Sequence, residues 1–162
     1  MVSKLVTEYE RGGEKLKKAV AGLEKKDLLW VPAPDAGLGK WSIQQIIIHL
    51  LDADVIWASR MKSIIAEDHP TMLGFDEGKF AGTLCYNDQD ADLAIRLFDL
   101  NRRQFCKVLR KLPDSALART GQHSERGSIT LGQSLQGMVE HVDHHLDFIR
   151  RKRAALNKPM KD

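Results

Sequence analysis

Three histidines at two places in the chain are the residues whose types and spacing point most directly to chemistry. His49 follows an isoleucine run at residues 46–48, and His141 and His145 lie four residues apart in a segment with a helical pattern. Side chains at that spacing leave one face of a helix about one turn apart, so both imidazoles can bind one metal ion. A third imidazole from a neighbouring helix would complete the site and leave a coordination position free, as in catalytic metal centres.

Helical geometry limits which other residues can share this site. His144 lies about 100° from His145 around the helix, so we expect it at an edge or an interface and not among the ligands. The faces that carry the three histidines are mainly small or apolar, which suits a pocket in the interior of a bundle. Candidates for lining this pocket or orienting a ligand are Gln45, Asp52, Ile56, Gly137 and Phe148.

Several of these residues also have an ordinary structural interpretation. His49 could be a buried, hydrogen-bonded histidine, and Asp52 could be solvated or bridge two helices. Gly137 costs about 1 kcal/mol relative to alanine inside a helix, and either room for a ligand or close helix packing would explain it. Arg60 shares the face of His49 but lies about 16 Å along the axis, where it could bind a distal carboxylate of a substrate or form a surface salt bridge.

Four segments with the apolar periodicity of amphipathic helices must position these residues. They leave no convincing strand, and they predict an all-α protein with the fold of a four-helix bundle. We expect a single domain spanning residues 1–162, because the length fits one domain and no repeat or low-complexity segment divides it. The predicted helices cover residues 3–23, 42–66, 88–112 and 130–156.

Local signals indicate where the histidine-bearing helices begin. Ser42 with Gln45, and Thr130 with Gln133, match the capping box, in which each side chain accepts a hydrogen bond from the backbone amide of the other residue. The connection at residues 67–87 is long for a structureless segment, so we expect a functional loop or a short helix there. The three histidines therefore fall on the second and the last predicted helix.

The composition argues against several classes of function. A net charge of +3 is small, and no basic patch with interleaved aromatic residues is present, so we expect no nucleic-acid partner. No apolar run approaches the roughly 20 residues needed to cross a membrane, and the N-terminus lacks a signal-peptide core, so we expect no membrane partner and a cytoplasmic location. Cys106 is expected in the core, and His69 and His123 in surface loops.

The surroundings of the histidines resemble the DinB/YfiT-like superfamily. A Trp-Ser pair at residues 41–42, followed by a His-Leu pair at residues 49–50, is similar to the second-helix signature of that family. The pattern His-x-x-His-His-x-x-x-Ile at residues 141–149 is similar to its last helix. The order and spacing of the resemblance cover nearly the whole chain.

This resemblance implies a four-helix bundle of up-down-down-up topology that holds a divalent metal. Carried over residue by residue, the ligands are His49, His141 and His145, and the metal is zinc or nickel, with iron or manganese as alternatives. Members of the family include thiol S-transferases that use mycothiol or bacillithiol. Where relatives commonly have a glutamine after the last ligand, this chain has Phe148, which makes the pocket more apolar.

Two functions remain open on the sequence. One is a metal-dependent enzyme, a thiol S-transferase or a hydrolase, in which a metal-activated thiolate or water attacks a small-molecule substrate. The other is a non-enzymatic metal-binding stress-response protein, and in either case apolar helix faces could form a homodimer. An enzyme should keep a coordination position that a substrate can reach, whereas a binding protein should show a closed site or no turnover.

Overall fold

Four long helices and several short elements make up the protein in the computed structural model, which describes residues 2–34 and 36–160. The long helices confirm the four-helix bundle, and none of the described helices has the length and apolarity to cross a membrane. The predicted domain also includes Met1, Asp35, Lys161 and Asp162, which lie outside the described residues. The helices are α1 (Val2–Val20), α2 (Lys25–Leu28), α3 (Ile43–Ala66), α4 (Glu77–Thr83), α5 (Ala91–Leu109) and α6 (Leu131–Ala155).

Capping boxes fix the starts of α3 and α6, as the sequence predicts. The Ser42 hydroxyl accepts the Gln45 amide at 3.1 Å, and the Gln45 side chain accepts the Ser42 amide at 2.9 Å. Thr130 and Gln133 make the same pair of hydrogen bonds at 3.0 and 2.9 Å. Each box satisfies backbone donors that have no partner inside the helix. The two helices that carry the histidines therefore begin at defined residues.

Two apolar clusters, one at each end of the bundle, show the direction of each long helix. One cluster combines the first turns of α1 and α6 with the last turns of α3 and α5, and the other combines the opposite ends. Helices α1 and α6 therefore run in one direction and α3 and α5 in the other. The order along the chain is therefore up-down-down-up, and α1 and α3 each pack against both α5 and α6.

The connectors hold short elements, among them strands that the sequence pattern did not predict. Strand β1 (Thr71–Met72) pairs in parallel with β2 (Thr120–His123), which pairs antiparallel with β3 (Gly127–Thr130). Strands of two to four residues are too short to show an alternating pattern. The connection at residues 67–87 contains α4, one of the two expectations for it, and a 3-10 helix at Asp114–Ala118 precedes β2.

A buried ion pair links all four long helices between the two apolar clusters. Arg102 of α5 is fully buried, and its Nε donates to the Asp54 carboxylate of α3 at 2.8 Å. Its other nitrogens donate to the carbonyl of Tyr9 on α1 at 2.8 Å and to the carbonyl of Met138 on α6 at 3.1 Å. A Cβ at Gly12 would lie 2.2 Å from this guanidinium, so any larger residue there would displace the Arg102 side chain. One side chain thus fixes the helices against each other.

Candidate metal centre

Helices α3 and α6 bring the three predicted histidines together. The Nε2 atoms of His49 and His141 are 3.0 Å apart, and those of His141 and His145 are 3.1 Å apart. One ring nitrogen from each residue lies within 4.8 Å of the other two. His49 is fully buried between the helices. The three residues therefore form one cluster, to which two antiparallel helices contribute.

The helical phase of each element explains this convergence. His49 lies two turns beyond the cap of α3, on the side that packs against α6. His141 and His145 occupy successive turns of α6, and their ring centroids are 4.6 Å apart. Because α3 and α6 are antiparallel, the early part of α3 meets the later part of α6. This places His49 opposite the pair.

Burial keeps the three imidazoles neutral. Desolvation lowers the pKa of His49, His141 and His145 to about 3, and neighbouring histidines add to the effect. A neutral imidazole is the form whose nitrogen lone pair binds a metal ion. At pH 7 all three side chains are therefore ready to act as ligands.

The nitrogen positions fit a cation. The Nδ1 atoms of all three histidines are buried without a hydrogen-bond partner. In the tautomer that has its proton on Nδ1, each ring directs its Nε2 lone pair toward the other two, and a cation between the three nitrogens would bind all three lone pairs. Nitrogens bound to one ion at about 2.1 Å lie roughly 3.0–3.4 Å from each other, which agrees with the two Nε2 separations of 3.0 and 3.1 Å. Imidazole donors suit zinc, nickel and iron.

Aromatic rings cover one side of the cluster. The Trp41 ring centroid is 4.8 Å from that of His49 and 6.3 Å from that of His145, to which the indole is nearly parallel at 11°. Phe148 is half-buried, and its ring meets that of His144 edge-on at 5.1 Å. These rings form apolar walls on that side of the cluster. Trp41 lies in the second-helix motif, yet sequence reasoning did not assign it to the site.

A cavity of about 570 Å³ lies beside His141. It is bounded by α3, α6, the β2–β3 hairpin and α4, and its walls include Trp57, Arg126 and Gly137. A Cβ at Gly137 would have no neighbouring atom within 4 Å, so close helix packing does not explain this glycine. The volume falls in the range of about 300–1,000 Å³ that small-molecule sites occupy. The exposed His144 also lines this cavity.

The other predicted pocket residues lie at different places. The side chain of Gln45 serves the helix cap, and the Asp52 carboxylate accepts the Tyr86 hydroxyl at 2.6 Å. Within the described residues, neither side chain hydrogen-bonds to a histidine of the cluster. Ile56 lines a groove between α3 and α5, and Phe148 lines a small cleft beside the histidines. Asp52 turns toward α4 and α5 because it lies about 60° from His49 around α3.

Trp57 carries a stack of side chains that sequence reasoning missed or misplaced. His123, expected in a surface loop, lies on β2 at 3% exposure, and its ring stacks on Trp57 with centroids 5.7 Å apart. The guanidinium of Arg60 lies 4.7 Å from the Trp57 ring and donates to the Leu73 carbonyl. Arg126 lies 5.6 Å from the same ring. Arg126 lines the cavity, whereas Arg60 is not among the residues that line it.

Proteins with similar sequences and folds are known. A protein named "Putative metal-dependent hydrolase" from Oceanobacillus iheyensis is 32% identical over 111 residues, which cover 68% of this chain and 64% of the relative. A Bacillus mycoides protein of the same description is 25% identical over 157 residues, covering 97% and 88%. YfiT from Bacillus subtilis, described as a probable metal-dependent hydrolase with an unusual four-helix bundle topology, matches the fold with a TM-score of 0.88 at 24% identity, over 96% of this chain and 87% of that one.

The family profile of the DinB superfamily matches residues 8–149. This range contains all three histidines of the cluster and the four long helices, except for their outermost residues. The fold similarity to YfiT agrees with the sequence match in both extent and topology. The chain therefore belongs to the DinB superfamily.

Proposed function

We propose that this protein is a metal-dependent enzyme that acts on a small molecule. Its metal would be zinc or nickel, with iron or manganese as alternatives, held by His49, His141 and His145. The observation that carries this proposal is the convergence of three neutral imidazole nitrogens beside a cavity of about 570 Å³. Three protein ligands would leave one coordination position free, and His141 lies in the wall of the cavity.

A divalent ion at this site supplies Lewis acidity, which lowers the pKa of a thiol or a water molecule bound to it. The chain's own residues supply position and environment. Trp41 and Phe148 would give the bound group apolar surroundings on one side of the site. Trp57 and Gly137 leave space for an electrophilic substrate on the other side.

We propose two alternative nucleophiles. The preferred one is the thiolate of a low-molecular-weight thiol, and the alternative is water. Family resemblance supports the thiol, and the names of the relatives support hydrolysis. Thiol transfer consumes the thiol together with the electrophile, whereas hydrolysis proceeds without a thiol, so an assay with and without thiol separates the two reactions. We expect the reaction to take place in the cytoplasm, with no part for nucleic acid or a membrane.

Elemental analysis and a substrate panel test the proposal. Protein purified without added metal should contain about one divalent ion per chain, and it should consume an electrophile together with a thiol, or an ester with water alone. The variant His49→Ala should lose the ion, whereas His144→Ala, which changes an exposed neighbour, should keep it. Metal retained by His49→Ala would refute the site. A metal-loaded protein without turnover would refute the enzyme and leave a metal-binding protein.

We further propose that the protein forms a homodimer through the faces of α3 and α5. Val55, Leu97 and Leu100 are 49, 46 and 57% exposed and line one groove, and a partner that covered them would remove their apolar surface from water. A second copy can cover this groove symmetrically. Analytical ultracentrifugation should show a dimer for the natural chain and a monomer for Leu97→Glu. A monomeric natural chain would refute the dimer without affecting the metal site.

A further inference from the structure

A second, smaller cleft borders the histidine cluster. Its volume is about 150 Å³, and it lies between the segment at residues 38–41, the first turn of α3 and the last turns of α6. His145 forms part of its wall, so the cleft and the metal centre share a side chain. Trp41, Ile46 and Phe148 make most of the remaining wall apolar. The cleft is therefore a confined space next to the metal-binding nitrogens.

Lys152 lines this cleft and carries a buried charge that no acidic side chain of the cleft compensates. The residue is 1% exposed, and its Nζ donates to the Gly39 carbonyl at 3.3 Å, which is long for a hydrogen bond. No acidic side chain lines the cleft among the described residues. Burial and the charge of Arg151 lower the pKa of Lys152 to about 8, so the amine still carries its proton at pH 7. An ammonium has three donors, and this one lacks an anionic partner.

Packing does not explain a lysine at this position. A methionine would fill a similar volume without the cost of desolvating a charge. The backbone around the ammonium is held in place independently, because Arg151 donates to the Gly37 carbonyl at 2.7 Å. Gly39 has a φ of +70°, and a Cβ there would lie 3.4 Å from the Phe148 ring. The walls of the cleft are thus fixed beside a buried ammonium whose one hydrogen-bond acceptor is the Gly39 carbonyl.

We propose that this cleft binds a small carboxylate, whose oxygens pair with the Lys152 ammonium and whose carbon atoms contact Trp41 and Phe148 beside the metal centre. A single ammonium suits a monoanion, whereas a phosphate dianion would need more donors than these apolar walls provide. The exposed Lys40 at the rim adds to the attraction for an anion. That this carboxylate belongs to the substrate rests on the proposed function; the anion site itself does not.

Acetate binding to the metal-free full-length chain tests the site. Titrations followed by tryptophan fluorescence and by calorimetry use acetate and its neutral analogue acetamide, at an ionic strength kept constant with a bulky sulfonate salt. Acetate should bind at least tenfold more tightly than acetamide. Lys152→Met should weaken acetate binding at least tenfold, whereas Lys40→Met, the matched change at the rim, should weaken it less than threefold. Addition of zinc should tighten acetate binding to the natural chain.

Equal affinities for acetate and acetamide would overturn the proposal, as would an acetate affinity that Lys152→Met leaves unchanged. Acetate binding that requires zinc and does not depend on Lys152 would assign the anion to the metal, and it would also overturn the proposal. If Lys152→Met does not fold, the comparison of acetate with acetamide on the natural chain decides. Because the test uses metal-free protein, failure of the proposed enzyme would leave acetate binding intact.

Discussion

Replacing Arg102 by methionine should destabilise the bundle by about 3–5 kcal/mol, because the change leaves a buried carboxylate without its counterion. The variant loses three hydrogen bonds, to Asp54, Tyr9 and Met138, of 2.8, 2.8 and 3.1 Å. At about 1 kcal/mol each these account for the lower figure. The carboxylate keeps the amide of Asn101 at 2.8 Å, so it is not entirely without partners.

The loss of stability in Arg102→Met should depend on pH. Burial raises the pKa of Asp54 in the folded chain, and Arg102 counteracts that rise. Without Arg102 the carboxyl binds its proton at a still higher pH when folded than when unfolded. The folded state then holds more protons in the window above the ordinary pKa, so the stability of the variant falls as pH rises through it. The loss should be larger at pH 8 than at pH 5.

Urea and thermal unfolding of metal-free protein, followed by circular dichroism, measure this effect. The melting temperature should fall by roughly 6–20 °C, at about 2–4 °C per kcal/mol for a domain of this size. Arg96→Met, an exposed change on the same helix, should stay within about 0.5 kcal/mol. Adding Asp54→Leu to Arg102→Met should recover part of the loss. A loss below about 1 kcal/mol at pH 8, or fully additive single effects, would refute the reasoning.

The histidine cluster and its cavity allow three further tests. Acidifying metal-free protein from pH 6.5 toward 3 should reduce its urea midpoint, because the imidazoles take up protons in the unfolded chain before the folded one; a constant midpoint would contradict the lowered pKa values. Zinc should raise the melting temperature of the natural chain in a concentration-dependent way, and an equal rise in His141→Ala would argue against that ligand. Gly137→Ala should raise stability by about 0.5–1 kcal/mol, since a Cβ meets nothing within 4 Å, and a loss on urea unfolding would show backbone constraint there.

The features that could be predicted from the sequence are those that short local patterns specify. The capping pairs at Ser42 and Thr130 lie within four residues of chain, and both formed as predicted. The histidine cluster was accessible because helical phase relates His141 to His145, while His49 lies on another predicted helix as a third imidazole and the family pattern supports the same three residues. Cys106, expected in the core, is fully buried. In each case a short stretch of sequence carries the information.

The remaining features depend on contacts between distant segments. His123 looked like a loop residue because β2 is only four residues long, and its burial comes from Trp57 on another element. Arg102 reads as one more polar residue on an amphipathic helix, although its partners lie on three other helices. Lys152 follows His145 by two helical turns, so the sequence alone places both residues on the same face of the last helix. Its burial depends on the segment around Gly39, which periodicity does not describe.

The separation of the proposed metal ligands along the chain has a consequence for how the protein would fold. His49 and His141 are 92 residues apart in sequence, so an ion that joins them closes a long loop, much as a disulfide would. On a chain-entropy account, a cross-link of that length restricts the unfolded ensemble by about 4–5 kcal/mol. A nascent chain in which α6 has not yet been synthesised would contain one of the three proposed ligands, which is too few to retain the ion. Metal binding would therefore occur late in synthesis, only after the last helix has packed against α3.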